Sequence, residues 1–207
     1  VAIHEIANAG GQIDIKMQTL DKFQRPLRDL RISVTDRCNF RCPYCMPAEI
    51  YGERYKFLPR KELLTFEEIF RVVEISSELG VKKVRITGGE PLVRQNVTEL
   101  IKMISSIKAI NDIAMTTNAY LLKNFAKELL DSGLNRITVS LDSINDEIFK
   151  KMNGRGFGTK KVMEGIAEAQ AVGFNDIKIN AVVQKNINDK HLLDLVEWCR
   201  KKELTPR

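Results

Sequence analysis

Lys82-Lys83-Val84-Arg85-Ile86-Thr87-Gly88-Gly89-Glu90-Pro91 is a short β-branched run that ends in two glycines and a proline, and a periodic segment from Asn96 to Lys108 follows it. The run reads as a strand, Gly-Gly-Glu-Pro as the turn out of it, and the segment as a helix laid back over a sheet. The same unit recurs on both sides. Upstream, Leu30 to Val34 reads as a strand, and a helix runs from about Thr65, a capping residue, to Leu79, with Gly80 as its stop. Downstream, strands at Asp112 to Thr117, Arg136 to Asp142 and Ile177 to Val183 precede helices from Leu121 to Ser132, about Thr159 to Val172 and about Asp189 to Lys202. Five strand-helix units in succession predict an α/β fold with a parallel sheet covered by helices.

The polar residues choose between a barrel and an open doubly wound sheet. Asp36-Arg37-Cys38 follow the first strand and Gly88-Gly89-Glu90 the second. Thr116-Thr117-Asn118 end the third, Ser140 and Asp142 the fourth, and Asn180 lies in the fifth. A doubly wound sheet gathers such residues at one switch point, whereas a barrel collects them from every strand end. The expectation is therefore a partial (β/α) barrel of about five units. The helix to Lys202 is followed only by Glu203-Leu204-Thr205-Pro206-Arg207, so residues 26–207 read as a core domain that stops before a sixth strand. Residues 1–25 match neither part of the unit and read as an N-terminal extension, a candidate for disorder, in which His4 carries no argument.

With 207 residues and 43% hydrophobic content the chain suits one domain with a real core. No apolar run approaches the roughly eighteen residues of a membrane helix, and the first residues lack a secretory pattern; the expectation is a cytoplasmic protein with no membrane partner. The formal charge of +6 is spread along the chain. It fits an anionic substrate or a merely solubilising surface, and no basic helix or stacking motif points to nucleic acid.

Three of the four cysteines, Cys38, Cys42 and Cys45, lie within one loop. Three thiolates can hold three irons of a four-iron cluster and leave the fourth open, whereas structural zinc takes four ligands, usually as two separated pairs. The remaining cysteine, Cys199, falls in the periodic helix with Leu192, Leu195, Val196 and Trp198 and reads as a core thiol. Spacing favours iron-sulfur and leaves zinc open. Arg37 and Arg41 flank the thiolates and would offset their charge, while Phe40 and Tyr44 would shield a cluster from water. Gly88-Gly89 alone is better explained by a plain strand-to-helix turn.

Cys-x3-Cys-x2-Cys with Tyr44 before the last cysteine, and Gly88-Gly89-Glu90-Pro91 one unit later, resembles the radical S-adenosylmethionine (radical SAM) superfamily. Leu30 to Cys42, Tyr44-Cys45-Met46-Pro47, Arg85 to Leu92 and Thr116-Thr117-Asn118 are more finely similar to the GTP 3′,8-cyclases of molybdenum-cofactor biosynthesis, over about Pro26 to Arg207. The resemblance implies a [4Fe-4S] cluster on Cys38, Cys42 and Cys45, with SAM on the open iron. It implies SAM contacts from Gly88, Gly89 and Glu90 to the amino group, Tyr44 by the adenine and Ser140 from the fourth strand. Arg31, Arg85, Thr116 and Lys178 would bind GTP; singly, each cation is as readily a solvated or salt-bridged residue. The implied chemistry is a 5′-deoxyadenosyl radical that removes the 3′ hydrogen of GTP, after which the ribose radical attacks C8. No general base is required, and Glu90, Asp142 and Asp36 have no support as one.

The family also implies a flavodoxin or ferredoxin as electron donor, a downstream enzyme of molybdopterin-precursor synthesis, and room for a homodimer. It carries a second three-cysteine cluster in a later segment that this sequence does not contain. Two readings stand beside it: another radical SAM enzyme, such as a peptide-modifying one, and a non-catalytic fragment whose loop holds zinc.

Overall fold

The computed structural model describes residues 19–52 and 54–207. Six strands, β1 (Asp29–Ser33), β2 (Lys83–Thr87), β3 (Asp112–Thr117), β4 (Arg136–Ser140), β5 (Ile177–Asn180) and β6 (Thr205–Pro206), pair in chain order, each parallel to the next. Helices α1 (Phe66–Glu78), α2 (Val97–Ser105) and α3 (Leu122–Asp131) follow the first three strands in turn. Between β4 and β5 lie two, α4 (Asp146–Asn153) and α5 (Lys160–Val172), and α6 (Leu192–Lys201) precedes β6. Sequential order with no reversal is the winding of a (β/α) barrel, here a part of one, and leaves no switch point of the doubly wound kind.

Strand side chains alternate between the two faces. Val84, Ile86, Ile113, Met115, Ile137, Val139, Ile177 and Ile179 form the face under the helices and are buried in a single core with Leu100, Ile101, Leu122, Leu129 and Ile166. Cys199 is fully buried in that core, as its helical period predicts. The opposite face carries Arg31, Arg85, Thr116, Thr138, Arg136 and Lys178, so the sheet is apolar towards its helices and polar on the other side.

Two differences from the sequence reading have local causes. Asp146–Asn153 forms an unanticipated helix: five of its eight residues are polar and Ile148, Phe149 and Met152 are too little of a stripe to show a period, yet Phe149 and Met152 are buried. A sixth strand does begin, because Thr205–Pro206 pairs with Lys178–Ile179. A proline in a two-residue strand reads as a breaker. Here the flanking Arg207 makes the ladder bonds, donating from its N–H to Ile179 O and accepting from the Ala181 N–H. Residues 1–18, including His4, lie outside the described residues; 19–25, assigned to the extension, close a turn through the Leu20 to Pro26 bridge and the Arg25 to Asp21 ion pair.

Thr65 caps α1 as expected, and Glu68 completes the box: Thr65 Oγ1 accepts from the Glu68 N–H while the Glu68 carboxylate accepts from the Thr65 N–H. Loss of such a cap costs about 1 kcal/mol. Thr65→Ala is expected to lower stability by about that amount and Thr65→Ser to retain most of it, read from denaturant midpoints with unchanged m-values.

Candidate active site

The polar face is held together by a row structure. Arg31 stands opposite Arg85, and Thr116 opposite Thr138, which stands opposite Lys178. The strand tilt brings Arg85 across rows, so that its Nη1 donates to Thr116 Oγ1 at 3.4 Å and to Thr138 Oγ1 at 3.3 Å. Arg136 is neutralised by Asp112 through two hydrogen bonds, and Lys178 pairs with Asp176 at 3.2 Å. Arg31 and Arg85 make no ion pair among the described residues. Partial burial, then the neighbouring cations Arg136, Arg31 and Arg207, push the Arg85 guanidinium below its usual range. Uncompensated positive charge on a concave polar face is suited to an anion.

The cysteine loop leaves β1 above this face. Cys38 and Cys42 are half-buried, Cys45 is exposed, and all three are free thiols. Phe40 roots the loop in the core, edge-on to Tyr120 and Phe149 and tilted against Phe157. Arg41 favours the Cys38 thiolate, as its place in the sequence suggests, and does more. Its buried guanidinium donates to the carbonyls of Tyr51, Cys38 and Phe40, so it clamps the loop before it balances sulfur charge. A buried guanidinium must fill its donors, and the loop carbonyls are the nearest acceptors. The end of α4 seats the same loop: Asn153 O accepts from the Arg41 N–H, and Gly154, at φ +62°, lies so close that a Cβ would stand 1.9 Å from Arg41 O.

Gly88 and Gly89 meet the same loop from β2. Gly89 donates to Thr35 O, and a Cβ on Gly88 or Gly89 would fall 2.6 Å from Thr35 O or 2.3 Å from Arg37 O. The glycines are thus required by the close approach of two backbones. Glu90 turns away from the mouth. Its buried carboxylate accepts from the N–H of Leu92 (3.1 Å), Thr117 Oγ1 (2.7 Å) and the N–H of Asn118 (2.7 Å), bracing the turn against the end of β3. Burial pushes its pKa up to about 7 against the pull of these donors.

Tyr44 reaches 98 residues along the chain to donate its hydroxyl to Asp142 Oδ2 at 2.5 Å. The other Asp142 oxygen accepts from the Val182 N–H, and Asn188, fully buried, donates to Asp142 O and Val182 O. The cysteine loop is therefore tied to the ends of β4 and β5. Burial pushes the Asp142 carboxyl up, and burial with the facing carboxylate pushes the Tyr44 phenol up, so the proton stays on Tyr44. Ser140, the last residue of β4, stands opposite Asn180 beside this tie. Asp36 is occupied as an acceptor for the Leu58 N–H.

The radical SAM superfamily pattern matches residues 32–199, most of the chain and every element described above from the cysteine loop to α6. The chain belongs to the radical SAM superfamily. It is 52% identical over 190 residues to a GTP 3′,8-cyclase of Staphylococcus haemolyticus and 50% identical over 190 residues to one of Staphylococcus aureus. Each alignment covers 92% of this chain and 56% of the relative, so the chain spans about half the length of the curated relatives it matches. Among solved structures it is similar to Streptococcus suis SuiB bound to S-adenosylmethionine, at TM-score 0.70 and 22% identity over 85% of this chain and 38% of that one. It is similar also to the FeFe-hydrogenase maturase HydG from Carboxydothermus hydrogenoformans, at TM-score 0.65 and 18% identity over 87% of this chain and 45% of that one. At such identities these two support the radical SAM fold alone.

Membership brings a [4Fe-4S] cluster and SAM, and the donor set fits the cluster. Burial pushes the Cys38 thiol up and the Cys42 thiol up to about 12, so that ionising them needs a strong cationic partner, which iron supplies. Among the described residues no three His, Cys, Asp or Glu side chains converge to hold a single metal ion. A cluster instead takes one thiolate per iron, and Cys199 lies in the core beneath the helices, so among the described residues nothing builds a four-ligand zinc site.

Several residues of this site were not legible as such. Asn153, Gly154 and Asn188 are ordinary loop and helix-end residues until α4 and the β5 to α6 loop fold against the cysteine loop. Thr138 and Arg136 sit inside a strand, where only the pairing register shows which face they share with Arg85. Asn118 and Asp142 stood at strand ends without a partner to name. Among the described residues, no helix is long and apolar enough to cross a membrane.

Glu90 supplies a pH test. Its folded pKa of about 7 lies above the ordinary carboxyl value of 4.5, so the native state holds the proton more tightly. Its contribution to stability is full below about pH 4.5 and is lost as pH rises through 7. Denaturant midpoints are expected to fall between pH 5 and 7.5 by the equivalent of roughly 3 kcal/mol, and Glu90→Gln to flatten that slope.

Proposed function

We propose that this chain is the catalytic core of a GTP 3′,8-cyclase, which converts GTP to 3′,8-cyclo-7,8-dihydro-GTP in molybdopterin-precursor synthesis. The observation that carries the reading is Arg85, joined to Thr116 and Thr138 with Arg31 and Lys178 on the same face, beneath the three-cysteine loop. The identity to the staphylococcal cyclases supports the choice of GTP among anionic substrates.

In this reading Cys38, Cys42 and Cys45 hold the cluster, and Gly88, Gly89, Glu90, Tyr44 and Ser140 form the SAM side of the mouth. Bound cluster and SAM supply, with one electron, the radical chemistry that removes a hydrogen atom from the substrate. The chain's own residues bind and orient. Gly88 and Gly89 offer backbone, Glu90 acts through the turn it braces, and the Asp142 carboxylate keeps the Tyr44 ring in place with its proton on the phenol oxygen. Arg31, Arg85 and Lys178 take the triphosphate, the guanidinium forks matching its oxygens and Lys178 exchanging Asp176 for phosphate. No side chain has to take a proton for hydrogen-atom removal, so the contribution of the protein is alignment and exclusion of water. The same reading places residues 26–207 in one catalytic domain of a cytoplasmic enzyme that has no membrane or nucleic-acid partner. It carries with it a flavodoxin-class or ferredoxin-class electron donor, an enzyme that consumes the product, and room for a homodimer.

Anaerobic reconstitution of the full-length protein, iron and sulfide analysis and electron paramagnetic resonance test this. The cluster signal should change with SAM and again with GTP, and Cys42→Ala should remove the cluster that this loop holds. Arg85→Ala should weaken GTP binding by about 10- to 100-fold, the loss of one or two charge-assisted hydrogen bonds, and leave SAM cleavage measurable. Unchanged GTP affinity would remove Arg85 from the site; bound zinc with no reducible cluster would end the enzyme reading.

A further inference from the structure

Asn118 follows Thr117 at the end of β3 and is buried to 8% exposure. Its orientation is determined by its neighbours: Oδ1 accepts from the Tyr120 N–H at 3.1 Å, so the amide nitrogen faces the other way. There it lies 2.7 Å from Asn39 Oδ1 and 3.9 Å from Cys38 Sγ. Asn39 has thereby turned its oxygen to Asn118, and its own amide nitrogen is buried without a partner. The Phe40 N–H also donates to Cys38 Sγ, at 3.3 Å. Among the described residues no N–H group donates to the sulfur of Cys42 or Cys45. The N–H donors are therefore concentrated on Cys38, while the Tyr44 hydroxyl faces Cys42.

A thiol at Cys38 can itself donate to Asn39 Oδ1, 3.8 Å away. Once it binds iron it carries no proton and only accepts, so the Asn118 amide and the Phe40 N–H become donors to a ligand sulfur. The unpartnered Asn39 nitrogen is a donor already desolvated in the folded chain, and such a group calls for an acceptor. Hydrogen bonds to cluster sulfurs help set the reduction potential, because donor dipoles stabilise the reduced, more negative cluster. An aspartate at 118 would keep the Tyr120 bond, lose the donor and place a charge against the thiolate; asparagine alone of the two serves both sides.

We propose that Asn118, held in place by its bond to Asn39, donates a hydrogen bond to the sulfur of the Cys38 corner and raises the reduction potential of the cluster. Both are positioning residues. The proposal rests on Cys38 being an iron ligand.

The test uses the reconstituted full-length protein and reads the potential by a redox titration followed by electron paramagnetic resonance. Asn118→Leu and Asn118→Asp should both move the potential to more negative values with iron and sulfide content unchanged. A role confined to the Tyr120 turn predicts instead that a fully loaded Asn118→Leu variant keeps the wild-type potential, whereas the Asn118→Asp shift includes the added charge. In the unsubstituted protein labelled with 15N-asparagine, the reduced cluster should show a 15N hyperfine coupling. That measurement stands even where a variant loses its cluster. An unchanged potential in a fully loaded Asn118→Leu variant, or no 15N coupling in the unsubstituted protein, overturns the proposal. Absence of iron and sulfide from the unsubstituted protein is a different result: it overturns the ligand assignment and this proposal with it.

Discussion

A carboxylate buried to 1% exposure needs every available donor, and Glu90 finds three: the Leu92 N–H, the Thr117 hydroxyl and the Asn118 N–H. This one brace joins the turn after β2 to the end of β3. Much of the site is placed by it. The Gly88-Gly89 backbone is held against Thr35 and Arg37, which sets the root of the cysteine loop, and Asn118 is held where its amide faces Cys38 and Asn39. Because the charged form is desolvated, the brace is held at a cost, and its upward-shifted pKa is the measure of it.

The cysteine loop is otherwise secured from three sides by different chemistry. Phe40 anchors it among aromatic rings, Arg41 ties its carbonyls together, and Asn153-Gly154 receive its backbone at the end of α4. Tyr44 adds the longest tie, through Asp142 to Val182 and Asn188 at the far strands. A cluster needs its thiolates prearranged on a short, irregular segment. Here that segment carries little regular structure of its own and borrows its rigidity from β2, β3, β4 and α4.

The polar face beneath it follows from the same parallel sheet. Alternation puts Ile and Val under the helices and leaves Arg31, Arg85, Thr116, Thr138 and Lys178 on the other side. Acidic residues on that side neutralise Arg136 and Lys178 in part, whereas Arg31 and Arg85 have no such partner among the described residues. The net excess of positive charge beside the cysteine loop suits this face to an anion.

By itself the sequence determined the repeating strand-helix order, the cap at Thr65, the core role of Cys199 and the grouping of three cysteines on one loop. These are local properties, legible from periodicity, capping chemistry and spacing within a few residues. It also named Arg85 and Thr116, without showing that they touch. Only the tertiary structure decided that Glu90 faces inward, that Arg41 clamps carbonyls, that the two-residue β6 pairs at all, and that Asn118 and Asn39 meet at Cys38. All but the Arg41 clamp, whose acceptors lie within ten residues, depend on contacts across tens of residues, Asn118 to Asn39 among them. A buried polar group is assigned by whichever partner the fold brings within about 3 Å, and sequence spacing does not contain that distance.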